Sequence, residues 1–102
     1  MSDPTILVLS SLAGGNKHGY AMMEDIERFA GVRLGPGTLY DNLQKLLDRA
    51  LVDEVKQRAR GEDSRRRYYR LTSLGRRVLS AEVTRLESVV REARVHLKPR
   101  KA

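Results

Sequence analysis

The sequence predicts a mainly α chain with one small β-hairpin. This is an α+β fold of the winged helix-turn-helix type, ending in a C-terminal dimerisation helix. Three observations predict it. Two helical patterns, Gly19–Ala30 and Gly35–Asp48, are joined by only the four residues Val32 to Gly35. An arginine-rich stretch then switches to strand-compatible patterning. Finally, Leu79, Val83, Leu86, Val90, Ala93 and Leu97 repeat at spacings of four and three, as a heptad seam does. A chain of 102 residues allows one small domain plus an extension. The divisions read as 1–72 for the winged domain, 73–97 for the last helix and 98–102 for a basic, disordered tail.

Taken in order, Ser2 or Asp3 caps a helix that has Pro4 at its first position. Ile6, Leu7, Leu9 and Leu12 make that helix apolar on most sides, so it belongs inside, and Ala13-Gly14-Gly15-Asn16 ends it. The second helix, Gly19 to Ala30, sets Tyr20, Met23, Ile26 or Glu27, and Ala30 at helical spacing, with an apolar face broadened by Met22 and Phe29 and with Gly31 as C-cap. The third opens on Gly35-Pro36-Gly37, where proline loses no helical hydrogen bond. Its back is Leu39, Leu43, Leu46 and Leu47. Its front is Gly37, Asp41, Gln44, Lys45 and Asp48, with Thr38 and Tyr40 on the flanks.

Leu51–Gln57 and Arg65–Leu71 then read as strands around a polar loop containing Gly61. Alternation groups Tyr69 with Leu71 and Tyr68 with Arg66 and Arg70, so Tyr68 is the expected exposed tyrosine. Thr72 is the expected N-cap of the final helix, which runs to Leu97 before Pro99. One helix projecting from a small domain cannot bury a heptad stripe along its whole length. A homodimer through Leu79, Val83, Leu86, Val90, Ala93 and Leu97 is therefore expected, against the alternative that the helix folds back on the first.

The formal charge is +7 and it is unevenly placed. Residues 1–55 hold five basic and eight acidic groups, a net of −3, whereas residues 56–102 hold fifteen and five, a net of +10. Such asymmetry points to a polyanion met through the second half, with nucleic acid ahead of an anionic membrane surface. Arginine forks match phosphate oxygens, so Arg58, Arg60, Arg65, Arg66 and Arg67, with Tyr68, are candidate backbone contacts. Such contacts supply affinity and salt dependence but read no sequence.

The third helix has the form of a major-groove reader. Its front is electrically neutral, Lys45 and Arg49 against Asp41 and Asp48, so attraction should come from elsewhere. Asp41 could accept from a cytosine amine and Lys45 could donate to guanine.

Other classes are set aside by composition. The chain has no cysteine, hence no thiol chemistry or disulfide, and this fits a reducing compartment. Two histidines, His18 in a turn and His96 near a helix end, give no metal spacing and no catalytic constellation, so neither an enzyme nor a cofactor is expected. No apolar run approaches the ~20 residues of a membrane span. The start, MSDPTILVLSSLAGG, lacks a basic stretch and reads as mature cytoplasmic protein, not a signal peptide.

With His18-Gly19-Tyr20, Gly35-Pro36-Gly37-Thr38-Leu39-Tyr40 and Arg66-Arg67-Tyr68-Tyr69-Arg70-Leu71-Thr72 in hand, the chain resembles the PadR family of transcriptional regulators over residues 5 to 76. The resemblance implies a dimeric winged-helix repressor on a palindromic operator in double-stranded DNA, with paired recognition helices in successive major grooves. It implies a wing on the flanking backbone, and for some members a small aromatic or hydrophobic effector that releases the DNA. Carried over by position, Thr38 and Tyr40 come to the DNA face, and Tyr20 falls either on a phosphate or in the core.

The chain departs from the family in two places. Gly35 stands where a serine cap is usual, and the absence of Trp removes the platform of the aromatic-ligand pocket. The residues taken as base readers are Thr38, Tyr40, Gln44 and Lys45. A competing class is a winged-helix interaction module whose basic wing docks an acidic protein partner.

Overall fold

The computed structural model describes residues 4–56 and 66–99. Four helices and three short strands follow in the order α1 (Pro4–Ala13), β1 (Lys17–His18), α2 (Gly19–Ala30), α3 (Pro36–Asp48), β2 (Val52–Val55), β3 (Tyr68–Leu71) and α4 (Ser73–Leu97). The caps expected at Ser2 or Asp3, the hairpin loop with Arg58, Arg60 and Arg65, and the end of the basic tail lie outside the described residues.

Helix α1 is the hub. It packs against α2, α3, α4 and β3, and it buries Leu7, Val8, Leu9 and Leu12, as its all-round apolar sequence requires. Met22 and Ile26 come from α2 and Leu39, Leu43 and Leu46 from α3. Leu51, Val52, Tyr69, Leu71 and Leu79 close the core from the sheet side. Ser11 is the one buried polar residue of that interior among those described, and its hydroxyl donates to Asp25 at 2.8 Å. Asp25 also accepts from Arg28 at 2.6 Å and lies 3.8 Å from Lys17. This network ties α1, β1 and α2 together.

The ends of the elements follow local chemistry. Gly31 closes α2 at φ 66°, a left-handed position that suits glycine. Thr72 caps α4 by accepting from the Gly75 amide at 2.9 Å, as expected. Helix α3 starts on Gly35 with no side-chain cap and ends in a Schellman motif, in which the Leu51 amide donates to Leu46 O at 2.9 Å and Ala50 N donates to Leu47 O.

The sheet has the order β1-β3-β2 and is antiparallel throughout. Val52 faces Leu71 and Val55 faces Tyr68, which fixes the hairpin register. Tyr69 and Leu71 point inward and Arg70 outward, matching the expected alternation, and Tyr68 is half-buried. The strands are shorter than the sequence patterning suggested. Lys17 and His18 add a third strand that patterning did not show, because two residues carry no period.

The heptad assignment needs one correction. Leu79 is 8% exposed and sits in the core of its own chain, since the first two turns of α4 lie on the domain. Beyond it the seam faces outward: Val83, Val90, Ala93 and Leu97 are exposed and Leu86 is half-buried. Fold-back on α1 therefore accounts for the start of α4 and leaves the rest of the seam without a partner helix among the described residues.

Candidate nucleic-acid interface

Helix α3 presents Gly37, Thr38, Tyr40, Asp41, Gln44 and Lys45 to solvent while Leu39, Leu43 and Leu46 anchor it from behind. The exposed front is rigidified by local hydrogen bonds. Gln44 Nε2 donates to Asp48 Oδ1 at 2.9 Å, which turns the amide oxygen of Gln44 away from the carboxylate. Asn42, which the sequence did not single out, donates to Thr38 O at 2.9 Å and accepts from the Thr5 hydroxyl at 3.1 Å. It fastens α3 to α1.

Tyr20 is 59% exposed, so the core alternative for it does not hold. It stands at the first turn of α2, beside His18 and Gly19. His18 caps α2: its Nδ1 accepts from the Ala21 amide at 3.1 Å. Its ring meets Tyr68 edge-on, with centroids 5.3 Å apart. Histidine is not a preferred capping residue, and so this role was hidden in the sequence; the Gly19 helix start beside it was the available signal.

Around these residues α2, α3 and β3 enclose an open cavity of about 560 Å³, lined by His18, Gly19, Tyr20, Tyr40, Arg66, Arg67 and Tyr69. Tyr40 reaches it by lying across Gly19, where a Cβ would come 2.9 Å from the tyrosine Cζ. Arg66 Nη1 is 2.8 Å from His18 Nε2. Burial raises the Tyr69 phenol above its ordinary pKa, with Glu54 and Tyr40 adding to the rise, while a hydrogen bond from Arg67 opposes it. Tyr69 is therefore a neutral hydroxyl at physiological pH.

The arginines of the wing are less free than a count along the chain implied. Arg70 donates to Asp53 at 2.9 Å because the register sets them opposite each other on β3 and β2, and Arg67, just before β3, lies 3.6 Å from Glu54. Both pairs are exposed, so they weaken the local positive field more than they stabilise the fold. The structure thus brings Tyr20, Tyr40, Arg66, Arg67 and Tyr68 to one side together with the front of α3. Arg58, Arg60 and Arg65 fall outside the described residues.

On α4, an apolar groove runs along Val83, Leu86 and Val90, edged by Arg91 and Arg94. Among the described residues no group of His, Asp or Glu could hold a metal ion, and no helix is long and apolar enough to cross a membrane.

Residues 8–81 match the model of the transcriptional regulator PadR-like family. The chain is 38% identical over 87 residues to the transcriptional regulator Rv3488 of Mycobacterium tuberculosis, covering 83% of this chain and 77% of that one. It is 42% identical over 81 residues to an uncharacterised 37.1 kDa transposon protein of Streptomyces fradiae. That match covers 79% of this chain, which spans only 22% of the transposon protein's length. Among solved structures, a PadR family transcription regulator from Clostridium difficile R20291 superposes with a TM-score of 0.83 at 22% identity. It covers 93% of this chain and 98% of that one, a likeness of fold.

Proposed function

Since this chain belongs to the PadR-like family, whose members are transcriptional regulators and not enzymes, we propose that it is a dimeric, sequence-specific DNA-binding repressor. In this reading α3 enters the major groove of a palindromic operator, and the wing with Arg66 and Arg67 lies on the flanking phosphates. The exposed length of α4 pairs with its twin through Val83, Leu86, Val90, Ala93 and Leu97, whereas Leu79 belongs to the core of its own chain. The family resemblance extends the proposal to a small aromatic or hydrophobic effector that releases the DNA.

The observation that carries the reading is the continuity of one face. The hydrogen-bonding front of α3, exposed on a helix held rigidly from behind, adjoins a concave patch lined by two arginines and two tyrosines with exposed rings. A neutral helix front flanked by cationic ground separates reading from attraction, and that is how nucleic-acid contacts divide.

Binding to duplex fragments selected from the genome, followed as a function of salt, tests it. A steep fall of log K with log salt, together with preference over random duplex, supports the proposal. Equal affinity for random DNA and an acidic protein competitor would favour the interaction-module reading instead.

A further inference from the structure

Helix α3 is seated by the fully buried Leu39, Leu43 and Leu46. Apolar burial is non-directional, so it settles where the helix lies more firmly than how far it turns or slides about its own axis. Its first turn is the weakest part. Gly35 supplies no side-chain cap, and Gly37 is a poor helix former. That turn carries Thr38, and in a helix-turn-helix the N-terminal residues of the second helix are the ones that meet base edges.

Asn42 supplies the missing direction. Its Nδ2 donates to the Thr38 carbonyl one turn back at 2.9 Å, and its Oδ1 accepts from the Thr5 hydroxyl of α1 at 3.1 Å. The Thr38 carbonyl can only accept, so it fixes which end of the amide faces α1. Among the described residues this is the only side-chain hydrogen bond that joins α3 to another helix or strand. Thr5 lies in the first turn of α1, and α1 packs against α4 as well as α3. One short path thus runs from the first turn of α3, through Asn42 and α1, to the helix along which two chains would pair.

We infer that Asn42 is a positioning residue: it sets the angle of α3 against α1 and so the half-site spacing that a dimer accepts. It touches no base and leaves base preference alone. Two half-sites are met by two copies of α3 at once, so loosening each copy widens the range of spacings that both can reach. The spacing role rests on the dimeric DNA-reading function proposed above; the angle does not.

Two measurements test this. The first uses the whole chain without DNA. Residual dipolar couplings of backbone amides report the angle between α1 and α3 in the wild type, Asn42→Ala and Thr5→Val, each first shown to keep a cooperative melt. Both variants should turn or loosen α3 against α1 while α1 keeps its angle to the start of α4. An unchanged α3 in both would overturn the inference, whatever the protein does with DNA.

The second uses duplexes selected by the wild type and rebuilt with one base pair added or removed between the half-sites. Asn42→Ala and Thr5→Val should each relax the spacing discrimination about tenfold, from roughly threefold for the one hydrogen bond lost in each protomer. The double variant should go no further, since both changes remove the same bond. Thr5→Ser keeps the hydroxyl and should behave as wild type. Affinity lowered equally at every spacing would reduce Asn42 to a structural residue and overturn its role in spacing. A changed base preference in Asn42→Ala would make it a base reader and overturn the assignment. A wild type with no preferred site would sink the DNA-reading function and the spacing role with it, while the angle in the DNA-free chain still decides whether Asn42 positions α3.

Discussion

The backbone of Gly75 lies directly against the carbonyl of Leu51. A Cβ at Gly75 would overlap the Leu51 oxygen and come within 2.7 Å of Leu71 Cδ1 and 3.0 Å of the Leu51 carbonyl carbon. The same carbonyl accepts from the Thr72 amide at 3.1 Å, so the start of α4 is clamped to the entry of β2 at two points.

Gly75→Ala should therefore destabilise the fold although it improves helix propensity. The atoms in the way are mostly backbone and cannot swing aside, and overpacking of this kind costs about 1–3 kcal/mol against a propensity gain of about 1 kcal/mol. Urea denaturation should show a lower midpoint at unchanged slope. A midpoint equal to or above the wild type would show that the contact is loose.

The two ends of α3 predict the opposite sign. Ala50 holds φ 59°, a left-handed conformation that suits glycine at this position of a Schellman motif. Ala50→Gly should stabilise by about 0.5 kcal/mol after the extra entropy of glycine in the unfolded chain is subtracted. Gly35 is extended at φ −77° and ψ 161° with open space at its Cβ, so Gly35→Ser adds a cap without a clash and should gain a few tenths of a kcal/mol. Denaturation midpoints check both.

Much of this was legible in the sequence because local spacing determined it. Leu39, Leu43 and Leu46 repeat with the helical period and bury as a set, and Thr72 and Gly31 sit at caps for chemical reasons that act within a few residues. What was not legible depends on partners far along the chain. The pairing of Arg70 with Asp53 and of Arg67 with Glu54 appears only once Val52 is known to face Leu71, so a count of charge along the chain overstated the free cations of the wing. Leu79 was drawn into the heptad because periodicity does not mark where a helix leaves its domain; the clamp at Gly75 does. Lys17 and His18 form a strand only because Tyr68 and Tyr69 lie beside them.

The Asp25 network predicts a pH dependence. Hydrogen bonds from Arg28 first, then from Ser11, lower the Asp25 carboxyl below its ordinary pKa, against an opposing effect of burial. A lowered folded-state pKa contributes stability that is present above the unfolded value and lost as pH falls through the folded one. Asp25→Asn should thus be less stable than wild type at neutral pH, with the difference shrinking in acid until the two curves meet. A constant difference across the acid range would show that the charge of Asp25 is irrelevant.

Pairing through α4 is testable apart from folding. Val83→Glu with Val90→Glu should give a folded monomer by light scattering, because both side chains are exposed in the single chain. Leu79→Ala should instead lower stability by about 2–5 kcal/mol, as truncation of a core leucine does. A dimer that survives both glutamates would move the interface elsewhere.

The central claim, a symmetric dimer that reads DNA with α3, is tested most directly by footprinting the protein on fragments selected from its genome. The account predicts two inverted half-sites whose centres lie about one helical turn apart, ~34 Å. Gln44→Ala and Lys45→Ala should alter which bases within them are preferred, and Arg66→Ala with Arg67→Ala should weaken all sequences alike. A single unpaired half-site, or protection that follows no common sequence, would contradict it.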